Sequence, residues 1–348
     1  MYDVMVIGAG PAGCITAKRL SDAGYNVLLV ERMKIPREKS CSGILIKKSI
    51  NIIENEFGKI PDSVLCKPNM SKGIIITNEK NQTFKFESDS LNVWRNLLDE
   101  WLAFKAQNAG AEFKQATSAV SCEEKQDHVS VKLHSGEVYE ENARIVVACD
   151  GASSNIKRNL FKKPNNYIFT YQTFCKGTID LDHSFFHAFL HPEFSQYDAW
   201  FNVKDDFLIF GIGVKEPATM KTYHSRFLSF LKSQFNAQIE SCVKEEIGIM
   251  PVIMPGCSVD LGIGRILFTG EAANFLNPIG EGISSALASG YGAAEAIKSA
   301  YKTNDFNVKS LIDNYKSNIL PEKQYMSRQW TILANLSSKF SYMKENKK

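Results

Sequence analysis

The sequence has little of what would place the protein across a membrane or on nucleic acid. No uninterrupted apolar segment approaches the roughly 20 residues that a membrane-spanning helix needs. The apolar start, Val4 to Ile7, has neither the basic region nor the small-residue cleavage site of a signal peptide. With a formal net charge of +3, 44% hydrophobic residues and 23% charged residues, the chain has no strong basic excess. We therefore expect a cytoplasmic globular protein that does not bind nucleic acid.

The cysteines also lack the spacing of a metal site. The sequence has no CxxC pair and no histidine at metal-ligand spacing from a cysteine. We therefore predict no bound metal, and we interpret the cysteines as reduced thiols that mostly pack in the core. The eight are Cys14, Cys41, Cys66, Cys122, Cys149, Cys175, Cys242 and Cys257.

The first 31 residues carry a nucleotide-binding pattern. A short apolar strand, Val4 to Ile7, runs into Gly8-Ala9-Gly10-Pro11-Ala12-Gly13, and a helical stretch and a second apolar strand then end at Glu31. The glycines of such a turn let a pyrophosphate lie close to the backbone at the N-terminus of the helix, and the acidic residue accepts hydrogen bonds from a ribose. The pattern predicts a dinucleotide-binding βαβ unit.

Two further glycine motifs follow at long intervals. A continuous apolar strand, Ile145 to Ala148, ends in Cys149-Asp150-Gly151, and its unbroken apolarity predicts burial on both faces. Later, Gly270-Glu271-Ala272-Ala273 and Pro278-Ile279-Gly280-Glu281-Gly282-Ile283 precede a helix of small residues, Ser284 to Ala296. The nucleotide-binding domain is therefore expected to be assembled from separate segments.

The stretches between these motifs predict a second unit. Residues 72 to 88 alternate in polarity, which predicts a hairpin around Asn78 to Asn81, and Leu91 to Ala109 has helical spacing. From Tyr167 to Val214 the chain is strand-rich and aromatic, and Tyr223 to Phe235 forms an amphipathic helical pattern. At 348 residues two interleaved domains are expected.

Together the three motifs resemble those of FAD-dependent oxidoreductases of the p-hydroxybenzoate hydroxylase fold. The segment Pro36-Arg37-Glu38-Lys39-Ser40-Cys41-Ser42-Gly43 and the run from Asn277 to Ile283 are similar to those of the geranylgeranyl reductase branch. The resemblance implies an α/β fold, with an FAD-binding Rossmann-like domain of the glutathione-reductase type and an inserted β-sheet substrate domain. We place the FAD-binding domain at 1–70, 90–160 and 255–300, the substrate domain at 71–89 and 161–254, and a C-terminal helical segment at 301–348.

The same resemblance assigns residues to FAD. Glu271 would bind a ribitol hydroxyl, a role that the family usually gives to aspartate. Arg95 would face the pyrophosphate and the Val120 backbone the adenine, the alternatives being a solvated helix arginine and an ordinary strand valine. The N–H groups near Gly282 and Ile283 would favour negative charge on the reduced flavin. The predicted FAD-binding residues are Gly8, Gly10, Ala12, Gly13, Glu31, Arg32, Ser42, Gly43, Leu45, Arg95, Val120, Asp150, Gly151, Gly270, Glu271, Gly280, Gly282 and Ile283.

Cys41 is the candidate catalytic residue. In the resembling reductases a cysteine of this segment lies near the isoalloxazine ring, where it would contact substrate or assist proton delivery. The alternative is a small packing residue in a loop. Ser42 stands where that branch has glycine, so its side chain is expected to narrow the pocket.

The aromatic residues between 185 and 210 predict either an apolar substrate tunnel or plain core. The branch's Tyr-x-Trp-x-Phe-Pro substrate motif is only partly present, with Tyr197, Trp200 and Phe201 out of register and Asn202-Val203 in place of Phe-Pro. We take Tyr197, Trp200 and Phe201 as candidate substrate residues.

The C-terminal region has an apolar stripe among basic residues. Such a stripe can lie on a membrane surface or, alternatively, pack on its own protein. We therefore keep peripheral membrane contact open. The stripe is Met326, Trp330, Leu333, Leu336, Phe340 and Met343, with Lys323, Arg328, Lys339, Lys344, Lys347 and Lys348.

These features predict a flavoprotein that reduces carbon–carbon double bonds of an apolar, isoprenoid-like substrate by hydride transfer from reduced FAD. The sequence has no second strand–glycine–helix unit for NAD(P)H, so the electron donor is expected to be NAD(P)H bound transiently or a redox protein. The alternatives are a flavin-dependent monooxygenase acting on an aromatic or other small substrate, and a flavin-binding protein without catalysis. The oligomeric state is not indicated.

Overall fold

The computed structural model describes residues 1–162, 166–252, 258–303 and 306–340, which form two large sheets and eight helices. The strands are β1 Tyr2–Ile7, β2 Val27–Val30, β3 Ile44–Leu45, β4 Leu65–Thr77, β5 Thr83–Val93, β6 Glu112–Lys114, β7 Ser118–Glu124, β8 Val129–Ser135, β9 Glu137–Ala148, β10 Tyr167–Thr178, β11 Phe186–Phe189, β12 Ala199–Lys204, β13 Phe207–Val214, β14 Gln238–Pro251, β15 Gly262–Ile263 and β16 Ile266–Phe268. The helices are α1 Pro11–Asp22, α2 Lys47–Phe57, α3 Arg95–Asn108, α4 Asn155–Phe161, α5 Met220–Phe235, α6 Ile283–Thr303, α7 Val308–Asn318 and α8 Leu320–Leu336.

The first sheet is built around β1. Its parallel strands lie in the order β16, β9, β1, β2 and β6, with β15 antiparallel at one edge and the β7–β8 hairpin joined to β9. Val4 to Ile7 and Ile145 to Ala148 are buried, as their unbroken apolar sequences predict. Because parallel strands end at the same edge, the segments that follow β1, β2, β9 and β16 meet there.

The second sheet has the order β14, β10, β13, β12, β11, β4, β5 and β3, and its pairs are antiparallel except for β11 with β4. Helix α5 packs on one face, where the rings of Phe189, Phe194 and Phe227 lie 5.3 to 6.4 Å apart. Since side chains alternate along a strand, the residues between these point to the opposite face. That opposite face forms one wall of the site.

The C-terminal helices connect the two sheets. Helix α6 packs on α1, where Thr16 Oγ1 donates to the Gly290 carbonyl at 3.0 Å. In α7, the buried Tyr315 hydroxyl donates to the Phe268 carbonyl at 2.9 Å. Leu333 of α8 lies in one apolar cluster with residues of β4 and β11. Helix α8 thereby packs against the second sheet.

Most of the predicted elements are present. The hairpin at 72–88, the strand ending at Ala148 and the helix ending at Phe235 are confirmed. The helix predicted from Leu91 begins only at Arg95, because Leu91 to Val93 pair with β3 and β4 instead. The domain boundaries stay a prediction; β4 and β5 lie in the second sheet along their full length.

The interpretation of all cysteines as reduced thiols is wrong for one pair. Cys175 of β10 and Cys242 of β14 face each other in register and form a disulfide. Two long antiparallel strands bring them together from 67 residues apart, which spacing alone does not reveal. Five other cysteines are free, and Cys257 lies outside the described residues.

The C-terminal stripe packs on its own protein in the part that the structure describes. Met326, Leu333 and Phe340 are buried, and Trp330 packs against them. Met343 and Lys344, Lys347 and Lys348 lie outside the described residues. Among the helices of the described ranges, none is long and apolar enough to cross a membrane.

Candidate flavin and substrate site

The turn between β1 and α1 forms one end of a long cleft of about 320 Å³. Gly8, at φ +102°, donates its N–H to the Val30 carbonyl at 2.7 Å, which ties the turn to β2. A Cβ on Gly13 would lie 1.8 Å from the Gly8 carbonyl oxygen, so only glycine lets α1 begin this close to β1. The N-cap residue Gly10 has no side chain, which leaves the first N–H groups of α1 open to the cleft.

Glu31 holds its carboxylate beside this turn. Its Oε2 accepts the Ala9 N–H at 3.0 Å and its Oε1 accepts the Met33 N–H at 3.1 Å. The side chain is buried and lines the cleft, as does the neighbouring Arg32. A carboxylate held in this way at the end of β2 is placed as a ribose-binding site requires.

A chain of ion pairs runs from Glu31 towards Cys41. Arg37 lies 3.4 Å from Glu31 through Nε and 3.1 Å from Asp99 through Nη2. Arg95 makes a bidentate pair with Asp99 at 3.0 Å and, like Cys41, lines the cleft. Sequence reasoning missed Arg37, although its place in the proline-to-glycine segment was an available signal.

Asp150 and Gly151 form the cleft wall after β9. Asp150 Oδ2 accepts the Ile156 N–H at 3.5 Å, while Oδ1 has no hydrogen-bond partner within the described residues. Burial raises the pKa of this carboxyl group. A buried carboxyl group with an open acceptor is suited to bind hydroxyl donors of a ligand.

The far end of the cleft is built from the segments around α6. Gly270 is tied to that helix by its N–H, which donates to Ser289 Oγ at 2.9 Å. Glu271 faces the cleft, with Lys39 Nζ 3.7 Å away. Gly282 and Ile283 line the same end, so the backbone at the start of α6 borders the cavity.

The structure brings most of the predicted cofactor residues to this one cleft. They come from segments up to 275 positions apart and meet because four parallel strands end together. The predicted residues that line the cleft are Gly8, Gly10, Ala12, Glu31, Arg32, Cys41, Ser42, Arg95, Asp150, Gly151, Gly270, Glu271, Gly280, Gly282 and Ile283.

Four predicted cofactor residues do not line it. Gly13 is turned to the β1–α1 contact, and Leu45 is fully buried in the core. Gly43 lies against the Val93 carbonyl and the Lys204 side chain. Val120 points its side chain to solvent and accepts a hydrogen bond from Asn159, while the preceding residue in β7 lines the cleft.

Cys41 lies where the cleft meets a second cavity. Its Sγ accepts the Gly43 N–H at 3.3 Å. Lys204 lies nearby, buried beneath the same segment, and donates to the Val93 carbonyl at 2.5 Å; burial lowers its pKa. The thiol thus lies at the junction of the two cavities, held by a backbone N–H.

The second cavity, of about 300 Å³, is mostly apolar. One side is the β4–β5 hairpin with Ile74, Ile76 and Phe86, and the other is α8 with Ile332 and Leu333. This cavity meets the cleft, and the two share part of their lining. The shared residues are Cys41, Ser42, Phe186, Ile279, Gly280, Gly282 and Ile283.

Of the three candidate substrate residues, only Trp200 lines the cleft. Phe201 is one position later on β12 and therefore points to the opposite face, where it packs on Phe210 at 5.5 Å. Tyr197 lines neither cavity, and its carbonyl accepts from Lys339. The residues of this wall that sequence reasoning missed include Gln172 and Asp198, which carry no motif signal.

The residues of the cleft fit a long dinucleotide such as FAD. The uncapped start of α1 suits a pyrophosphate, the fixed Glu31 carboxylate suits a ribose, and the open Asp150 Oδ1 suits a hydroxyl. Beyond them the cleft continues to the start of α6, where backbone N–H groups favour a negatively charged ring.

Comparison with known proteins finds similarity to an FAD-binding domain family and to reductases. Residues 1–166 match the family model described as FAD binding domain. Digeranylgeranylglycerophospholipid reductase 2 of Methanosphaera stadtmanae is 28% identical over 328 residues, covering 89% of this chain and 81% of the relative. A geranylgeranyl bacteriochlorophyll reductase-like structure from Thermoplasma acidophilum superposes with a TM-score of 0.80 at 23% identity, covering 98% of this chain and 87% of that one. A flavin-dependent brominase mutant superposes with a TM-score of 0.76 at 17% identity, covering 99% and 92%.

These matches confirm the predicted fold class and the FAD-binding domain. The chain is similar over most of its length to proteins named as digeranylgeranylglycerophospholipid reductases, in agreement with the resemblance of the segment around Cys41.

Proposed function

We propose that the protein reduces carbon–carbon double bonds of an apolar, isoprenoid-like substrate. The observation that carries this proposal is the apolar cavity that opens into the flavin cleft beside Cys41. A hydrocarbon chain lying between the β4–β5 hairpin and α8 would reach the cleft where the two cavities share their lining. The curated relatives are named as reductases of digeranylgeranylglycerophospholipid, which supports the same substrate class.

Reduced FAD would supply the hydride to one carbon of the double bond, and the protein must supply a proton to the other. Cys41 is the proposed proton donor because its thiol lies at the junction of the cavities. When the proton leaves, the Gly43 N–H that donates to Cys41 Sγ would stabilise the charge left on the sulfur. Together the hydride and the proton add the two hydrogens that saturate the bond.

The electron donor is proposed to come from outside the chain, either NAD(P)H bound transiently or a redox protein. The cleft is long and is matched to one dinucleotide, from Glu31 to the start of α6. A donor would therefore reduce the flavin from the exposed side of the cleft and leave before the substrate reacts.

The mouth of the apolar cavity suggests contact with a membrane surface. Phe86 and Ile332 line the cavity and are 40% and 44% exposed, and Arg328 lies exposed one helical turn before Ile332. An apolar rim with a cation beside it suits an anionic lipid surface. Flotation with vesicles of anionic phospholipid tests this contact, and Phe86→Ser is expected to weaken it.

The reaction is tested by anaerobic oxidation of the reduced flavin. A geranylgeranyl lipid should reoxidise the flavin without oxygen and appear as a product heavier by two hydrogens per reduced bond. Oxygen consumption coupled to a hydroxylated product would instead establish the monooxygenase alternative. A flavin that no acceptor reoxidises would indicate a binding protein without catalysis.

Two variants of α8 test whether the cavity holds the chain. Ile332→Trp would obstruct the mouth and is expected to raise the KM for the lipid, with flavin content unchanged. Leu320→Trp is the matched control, because Leu320 is 51% exposed on the same helix and does not line the cavity. Equal effects of the two variants would contradict the assignment.

A further inference from the structure

The wall of the cleft that the second sheet forms carries a row of paired residues that crosses neighbouring strands. Gln172, Gly211 and Trp200 are directly paired across β10, β13 and β12, so they share one face of the sheet. A Cβ on Gly211 would lie 2.0 Å from Cε2 of Trp200, the ring carbon that bears Nε1. The indole therefore lies over Gly211. Because neighbouring strands are about 4.8 Å apart, Gln172 and Trp200 flank Gly211 on the two adjacent strands.

Two polar atoms of this row lack a hydrogen-bond partner in the part of the chain that the structure describes: Gln172 Oε1 and Trp200 Nε1. The orientation of the Gln172 amide is set by Glu246, since Nε2 donates to the Glu246 carboxylate at 2.6 Å and a carboxylate only accepts. Both side chains are buried and line the flavin cleft. A buried polar atom without a partner is unfavourable, and a ligand that supplies the partner is bound more tightly for that reason.

The neighbouring groups restrict what this ligand can be. Asn202, the next residue of β12 on this face, donates to the Ser42 carbonyl at 3.5 Å and leaves its own Oδ1 without a partner among the described residues. The Asp198 carboxyl group is buried in the same wall, and burial raises its pKa to about 6. In this wall Gln172 Oε1 is an open acceptor, Trp200 Nε1–H is an open donor, and the Asp198 carboxyl group adds further acceptor atoms. An anion would be repelled by Asp198, and an ammonium group would leave the Trp200 N–H without an acceptor.

We propose that Gln172 and Trp200 bind a hydroxyl group of the substrate, which donates to Gln172 Oε1 and accepts from Trp200 Nε1. This inference rests on the proposed function, because it names the polar end of the molecule whose apolar chain the second cavity holds. The row continues from Trp200 to Ala188 and Ile76, and Ile76 lines the apolar cavity. The substrate is therefore an amphiphilic alcohol that crosses the strands, with its hydroxyl beside the Gln172 amide and the edge of the Trp200 ring.

The test compares two probes, geranylgeraniol and its methyl ether, on the FAD-loaded protein. The ether keeps the oxygen acceptor and loses the O–H donor. Binding is followed through the change in flavin absorbance, and reduction is followed separately through anaerobic oxidation of the reduced flavin. The wild type is expected to bind the alcohol about three- to tenfold more tightly than the ether, as one hydrogen bond allows.

The variants separate the two contacts. Gln172→Met removes the acceptor and should abolish the preference for the alcohol. Trp200→Phe removes the N–H donor and should weaken both probes equally, leaving the preference intact. Gln234→Met, at an exposed position of α5, is the matched control and should behave as wild type. Flavin content and melting temperature are recorded for each variant. If Trp200→Phe does not fold, the ratio of the affinities of Gln172→Met for the alcohol and the ether decides the test alone.

The outcomes distinguish this site from the proposed reduction. Equal binding of alcohol and ether by the wild type, or a preference that persists in Gln172→Met, overturns the hydroxyl site. A preference for the alcohol without reduction of either probe supports the hydroxyl site and overturns the proposed reduction. Reduction of both probes without a binding preference overturns the hydroxyl site and supports the proposed reduction.

Discussion

Two glycines of the opening turn are expected to be required for different reasons, and alanine substitution separates them. At Gly13 a Cβ would lie 1.8 Å from the Gly8 carbonyl oxygen and 3.1 Å from its carbon. Ordinary contacts of a Cβ begin near 3.4 Å, so α1 would have to move by more than an ångström relative to β1. Overpacking of this kind costs about 1 to 3 kcal/mol or more, and it displaces the N–H groups that face the pyrophosphate.

At Gly10, in contrast, an added Cβ would meet no close contact. Its φ of −81° suits any residue, and the nearest atom to an added Cβ is Arg37 Nη2 at 3.8 Å. Gly10→Ala should therefore leave the fold intact or stabilise it by about 0.4 to 1 kcal/mol, because alanine restricts the unfolded chain. The methyl group would nevertheless stand in the cleft where the cofactor backbone approaches, so FAD affinity should fall at least about tenfold, or 1.4 kcal/mol.

The assay combines urea unfolding of the FAD-free protein with titration of FAD by fluorescence quenching. Gly13→Ala should lose stability and FAD affinity together, whereas Gly10→Ala should lose affinity alone. Wild-type stability in Gly13→Ala would refute the close packing of α1 on β1. Wild-type FAD affinity in Gly10→Ala would refute the placement of the pyrophosphate at this turn.

Three further predictions concern the thiol, a buried histidine and the disulfide. Cys41→Ala should slow substrate-dependent flavin oxidation by about 10²- to 10⁴-fold with FAD content unchanged, as expected for loss of a general acid; an unchanged rate would remove Cys41 from the chemistry. Burial lowers the pKa of His224 to about 4. As the pH falls below 6.5, His224 is therefore protonated in the unfolded state before it is protonated in the folded state. The free energy of unfolding is highest above pH 6.5 and decreases as the pH falls towards 4. Between pH 7 and 4 the wild type should lose about 3 kcal/mol more unfolding free energy than His224→Gln, and parallel urea curves would contradict this. Peptide mapping without reductant should recover Cys175 and Cys242 cross-linked, and recovery of only separate peptides would exclude the pair.

Much of the site was predictable because its signals are local. A glycine turn between a strand and a helix and an acidic residue after the next strand each have a short-range physical cause. The same is true of the strand that ends at Asp150 and of the small residues that open α6. Arg37, in the segment between β2 and β3, was not predicted because its position depends on an ion pair with Asp99 of α3.

The substrate wall shows where pattern reasoning failed. Trp200 and Phe201 are adjacent aromatic residues, and a difference of one position sends their side chains to opposite faces of β12. Composition left open whether the aromatic residues between 185 and 210 line a substrate tunnel or form plain core. The cleft is instead lined by Gln172, Asp198 and Trp200, while the phenylalanine rings form the core beneath α5. The sequence motif could not predict which side chains of β12 face the cleft, because the pairing of β12 with β11 and β13 fixes its register.

By itself the sequence determined the class of cofactor and the segments that hold it, since each segment is recognisable from neighbouring residues alone. Tertiary structure decided which side chains face the cofactor and what lies beyond it. The apolar cavity exists because α8, near the end of the chain, packs beside the β4–β5 hairpin some 250 residues earlier. The apolar stripe of α8 has the same spacing whether it faces a membrane or its own protein, and only the packed chain distinguishes the two.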